Sequence, residues 1–110
     1  MPKASDGLQG TLDLLVLQTL AQLGAMHGFG IAFHIQKVSN DLLHVEEGSL
    51  YPALHRIERA GWIKSEWDTT DNNRRAKYYQ LSSLGKRQLA YEQQNWARLV
   101  EGVTSLLRYA

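Results

Sequence analysis

Tyr51, His55 and Arg59 recur every four residues, with Arg56 beside them. Brought onto one face of a helix, these side chains would offer the hydrogen-bonding groups that read base edges or hold phosphates. Further along, Arg74, Arg75 and Lys77 form a second cationic group. A guanidinium stays charged and meets pairs of oxygens in a fork, which suits a phosphate backbone or a minor groove. Nothing comparable exists for catalysis. Glu46 and Glu47 are adjacent and diverge on a helix, and no Gly-x-Ser-x-Gly arrangement occurs. The chain has no cysteine, so thiolate chemistry and a cysteine-held zinc are excluded. His27, His34, His44 and His55 lack any i, i+4 ligand spacing. We expect no enzyme, no metal and no cofactor.

The first group is positioned by the stretch from Glu46 to Gly61. Stepping about 100° per residue puts Leu50, Ala53, Leu54, Ile57 and Ala60 on one side and Tyr51, His55 and Arg59 on the other. Arg56 and Glu58 flank them. Ser49 is the expected cap, Pro52 falls in the first turn where its missing N–H is not needed, and Gly61 suits the left-handed residue that ends a helix. Alone, such a helix reads equally as a recognition helix, whose early residues reach base edges, or as an amphipathic helix with a solvated polar face.

Net charge over 110 residues is +1, but it is unevenly spread. From Arg56 to Arg87 there are eight basic residues against four acids; the rest has four basic residues against seven acids. That segregation suits a polyanion-facing side on a mildly acidic body. No run of about 18 apolar residues is present, so no membrane span is expected, and the N-terminus lacks the pattern of a secretory signal. A cytoplasmic protein of one domain is the expectation.

Residues 1–7, small and polar, read as a flexible arm. Leu8 to Leu23 reads as a first helix, with a stripe of Leu8, Leu12, Leu15, Leu20 and Leu23. Leu14, Val16 and Leu17 widen that stripe beyond the needs of one small core, which calls for a second chain as partner. Gly24 ends it. A short second helix follows His27-Gly28-Phe29-Gly30 and stops near Ser39-Asn40. Its glycines admit either a phosphate or close backbone packing, and packing is favoured; the tract is no Walker or dinucleotide motif, because the spacing is wrong and no preceding strand is evident. Trp62 to Trp67 alternates as a strand, with Ile63, Ser65 and Trp67 on one face; residues 68–73 are turn formers and Arg74 to Leu81 is the return strand. Trp62 and Trp67 are expected as core or as cover for the sheet. The cations at the hairpin base suit DNA contact, against the alternative of a charged strand edge that blocks aggregation.

A last helix, capped by Ser82 or Ser83, runs from about Leu84 to Leu107, roughly 36 Å at 1.5 Å per residue. Leu89, Trp96, Leu99 or Val100, Val103 and Leu106 recur every three to four positions. A coiled-coil-like seam with a second copy, shared by Leu12 of the first helix, would cover them. The expected architecture is mainly α with a small β-hairpin (α+β): a winged helix-turn-helix over residues 8–81, then a dimerisation helix over 82–110. Two copies would set their recognition helices about 34–36 Å apart on a palindromic site in double-stranded DNA.

These segments resemble the PadR family of winged-helix transcriptional regulators. The motifs are His27-Gly28-Phe29-Gly30-Ile31, Glu47-Gly48-Ser49-Leu50-Tyr51-Pro52-Ala53-Leu54-His55-Arg56, Gly61-Trp62-Ile63, Asn73-Arg74-Arg75-Ala76-Lys77-Tyr78-Tyr79 and Trp96. The resemblance implies a homodimeric repressor that leaves its operator when a small effector, often aromatic, binds. It places Ser49, Tyr51, His55, Arg56 and Arg59 at the major groove and Arg74, Arg75 and Lys77 along the backbone. It also implies that Trp96 lies near the dimer centre and can stack on an aromatic ligand, as in short members with a single helix after the wing. On its own residues, Trp96 is at least as readily explained as seam packing. The rival to a regulator is a winged-helix adaptor that binds protein and not DNA.

Overall fold

The computed structural model, which describes residues 7–110 with side chains from Thr11 onward, contains four helices and three strands. They are α1 (Gly7–Leu23), β1 (Met26–His27), α2 (Gly28–Val38), α3 (Glu47–Arg59), β2 (Ile63–Thr69), β3 (Arg75–Leu81) and α4 (Ser83–Arg108). The arm expected over 1–7 lies outside the described residues except for Gly7, as does the side chain of Leu8. The strands form one antiparallel sheet in the order β1-β3-β2, Met26 facing Tyr79 and Trp67 facing Lys77. This is the α+β winged-helix plan, and no described helix is long and apolar enough to cross a membrane.

The periodicities place the core. Val16, Leu17 and Leu20 of α1 meet Ile31 and Ile35 of α2 and Leu50, Ala53, Leu54 and Ile57 of α3. Ile63 and Tyr79 close the cluster from the sheet. Ala60, counted on the apolar face, is instead the exposed residue that ends α3. Gly24 and Gly61 both take positive φ, 81° and 85°, as the helix ends they terminate require. Ser82 caps α4: its Oγ accepts from Gly85 N at 3.0 Å and donates to Gly61 O at 2.7 Å, tying the end of α3 to the start of α4.

Three expectations change. A two-residue strand, β1, does precede α2; it is too short to register as alternation in sequence. Helix α3 begins at Glu47 with Glu46 at its cap position, so Ser49 lies inside the first turn and does not cap. Pro52 consequently sits one turn deeper than expected, where its missing N–H leaves the Gly48 carbonyl without its helical donor. Gly48 is exposed, so water can meet that carbonyl.

Candidate nucleic-acid interface

With its four apolar side chains buried, α3 turns Ser49, Tyr51, His55 and Arg59 to solvent. Arg59 Nη2 lies 3.0 Å from His55 Nε2, one turn away, so these two side chains form a single hydrogen-bonding unit. Tyr51 is held differently. Its ring lies against the buried Gly28 at the start of α2, so close that a Cβ there would stand 2.8 Å from the phenol oxygen. Gly28 is therefore a packing glycine. The N-terminus of α2 is closed by His27, whose Nδ1 accepts from Gly30 N at 3.0 Å.

On the hairpin, the turn between β2 and β3 is closed by Thr70 N donating to Arg74 O at 2.7 Å, with Asn73 in the left-handed region at φ 60°. Antiparallel register then puts Trp67, Arg75, Lys77 and Tyr79 on the same face of the sheet. The Arg75 guanidinium stands 5.1 Å over the Trp67 ring. Lys77 reaches Glu58 of α3 at 3.5 Å, and Glu58 also accepts from Ser65 at 2.5 Å. Lys77 thus ties the wing to α3, while Arg74 pairs with no acid among the described residues. Trp62 is half-buried against the core, whereas Trp67 is exposed on the wing.

A groove of about 940 Å³ joins the two groups: Tyr51 forms part of its wall, Arg74, Arg75 and Lys77 another, and the start of α2 its third side. Arg56 takes no part in it. Its Nη2 donates to Oδ1 of Asp13 in α1, so this cation is tied to the scaffold while its side chain stays 40% exposed. Asp13 is a residue that spacing could have flagged, being the lone acid of α1 among its leucines. Burial pushes its carboxyl above the ordinary 3.8, against the lowering pull of Arg56 and together with the raising charge of Glu92.

The expected seam is divided by the fold. Leu89 is only 8% exposed and belongs to the core of its own chain, because the first half of α4 lies on α1 and the sheet. Leu12 is half-buried against that core. Beyond them Trp96, Leu99, Val100, Val103 and Leu106 are exposed along the second half of α4.

Comparison with known proteins decides what kind of molecule carries this surface. Residues 16–91 match the model of the family described as the transcriptional regulator PadR-like family. The chain belongs to that PadR-like family. A transcriptional regulator from Clostridium thermocellum superposes with a TM-score of 0.80 at 27% identity, over 96% of this chain and 100% of that one. A PadR family transcriptional regulator from Eggerthella lenta gives 0.75 at 30% identity, over 94% of this chain and 88% of its own. A PadR-like regulator from Bacillus cereus gives 0.75 at 26%, over 94% and 97%. An uncharacterised protein from Lysinibacillus sphaericus is 28% identical over 97 residues, 88% of each chain. The PadR-like regulator described here shares its overall α+β fold with the three solved structures.

Proposed function

We propose that this PadR-like regulator is a homodimeric repressor of a palindromic operator, released by a small aromatic effector. The observation that carries this reading is the groove that joins Tyr51 on α3 to Arg74 and Arg75 on the wing. Tyr51, His55 and Arg59, with Ser49 at the start of the helix, face base edges in the major groove. Arg74 and Arg75 bind phosphates, and Lys77 holds the wing at the right distance from α3. Arg56 contributes by anchoring α3 to α1.

The apolar stripe on the second half of α4 pairs with a second copy. Val103 and Leu106 lie along that seam, and Trp96, at its inner end, offers a ring for the effector to stack on. Such pairing lets both recognition helices engage one face of the duplex, about one turn apart.

The test is fluorescence anisotropy of a labelled duplex taken from just upstream of the protein's own coding region, at two salt concentrations and against a scrambled competitor. Tight, salt-sensitive binding that the scrambled duplex fails to displace is the expected result. Weak, equal binding to both duplexes at low salt would overturn it in favour of an adaptor that binds protein.

A further inference from the structure

Of the cations on the wing, Arg74 and Arg75 are exposed and Lys77 is half-buried. The Lys77 Nζ lies 3.5 Å from Oε1 of Glu58, in the last turn of α3. It also stands 6.0 Å over the ring of Tyr79, so the ammonium is held from two sides. The other oxygen of Glu58, Oε2, accepts from Ser65 Oγ at 2.5 Å. One carboxylate thus joins α3, β2 and β3 with both of its oxygens engaged, while 31% of its side chain stays exposed.

A surface ion pair of this kind contributes little to stability. Its consequence for a bound duplex is larger. A phosphate that drew Lys77 away would leave the Glu58 charge facing the same backbone, and like charges repel. Binding to arbitrary DNA rests almost entirely on cations meeting phosphates, whereas binding to an operator also draws on base contacts. Without a fixed register, a free lysine on arbitrary DNA finds any phosphate within reach; on an operator α3 sets the register and the lysine gains only what stands opposite it. A cation withheld from phosphates therefore weakens arbitrary binding more than operator binding, and the ratio of the two selects a site.

We propose that Glu58 is a specificity-determining residue: by holding Lys77 it leaves phosphate binding on the wing to Arg74 and Arg75, and so keeps the chain from staying on DNA of the wrong sequence. Glu58 acts through Lys77, as a positioning residue. The inference rests on the reading of this chain as a DNA-binding regulator.

Glu58→Gln tests it, because the amide oxygen can still accept from Ser65 while the charge that holds Lys77 is gone. Glu66→Gln removes a charge from the opposite face of β2, where Glu66 faces Tyr78, and is the control. Anisotropy titrations over a salt series compare the duplex from upstream of the coding region with its scrambled counterpart. Glu58→Gln is expected to steepen the slope of log K against log salt by about one, and to tighten the scrambled duplex about fivefold and the operator by less. Adding Lys77→Met is expected to abolish both changes, and Glu66→Gln to leave the slope near its native value. Equal tightening on both duplexes, or the same effect from Glu66→Gln, would overturn the proposal. So would Lys77→Met alone lowering the slope by about one, because Lys77 would then already sit on a phosphate. Thermal midpoints of the free chain read the pair without DNA: Glu58→Gln and Lys77→Met are expected to be coupled by about 2 °C in a double-mutant cycle. Additive shifts would overturn the proposal. Coupling in a native chain that binds neither duplex would defeat the regulator reading and the role of Glu58 with it. A native chain that selects the operator, with Glu58→Gln changing nothing, would defeat this inference alone.

Discussion

Arg56 of α3 donates from Nη2 to Oδ1 of Asp13 in α1, a contact between residues 43 apart in sequence. The Asp13 side chain is 5% exposed and that of Arg56 40%, so the acid has far less access to water than its partner. Glu92 of α4 is also buried, and its charge adds to the cost of ionising Asp13. The pair therefore pins the candidate recognition helix to the scaffold through a charge that, among the described residues, Arg56 neutralises.

Arg56→Ala is expected to destabilise the fold by about 3 kcal/mol, because it strands a buried carboxylate. Asp13→Asn frees a guanidinium that can reach water, and is expected to cost about 1 kcal/mol. Urea denaturation of both variants measures the difference. Equal losses would mean that the pair is not asymmetric in the way its burial implies.

Stability should depend on pH through Asp13. Its folded pKa lies above the ordinary 3.8, so the folded chain holds this proton more tightly than the unfolded chain. The resulting contribution is fully present below 3.8 and is lost as pH rises through the raised value. Denaturation midpoints across the acid range should show this segment flattened in Asp13→Asn and enlarged in Arg56→Ala. An unchanged profile in both variants would contradict it.

Gly28→Ala should act through Tyr51, since the added Cβ meets the phenol oxygen at 2.8 Å. In the native background we expect a loss of about 1–2 kcal/mol from overpacking. With Tyr51→Ala already present the loss should largely vanish. The double-mutant cycle checks this; additive effects would show that Gly28 serves the backbone alone.

Arg74→Ala with Arg75→Ala should weaken binding to every duplex and lower the slope of log K against log salt by about two. Tyr51→Ala should instead blur the choice between operator and scrambled sequence. Parallel salt titrations of the two variants separate these outcomes, and equal losses on both duplexes for both variants would refute the division of labour.

Val103→Asp should convert a dimer to a monomer in sedimentation velocity. The side chain is exposed on the second half of α4, so its replacement leaves the core intact. A native chain that sediments as a monomer would remove the basis of the proposed seam.

Much of this molecule is legible in its residues taken in order. Local periodicity announces α3 through Leu50, Ala53, Leu54 and Ile57, and the hairpin through the alternation after Gly61, because helix and strand expose their faces at fixed intervals. Gly24 and Gly61 mark helix ends, since a residue without Cβ is the one that most readily takes a positive φ. The sequence motifs also point to the PadR-like family. Partners distant in sequence are another matter. That Arg56 turns to Asp13, that Lys77 is engaged by Glu58, that Leu89 belongs to its own chain's core and that Tyr51 rests on Gly28 all depend on how α1, α2, α3, α4 and the wing pack in three dimensions. Spacing along one element says which way a side chain points; what it meets there is decided by the tertiary structure, because each of these contacts joins surfaces that periodicity describes only one at a time.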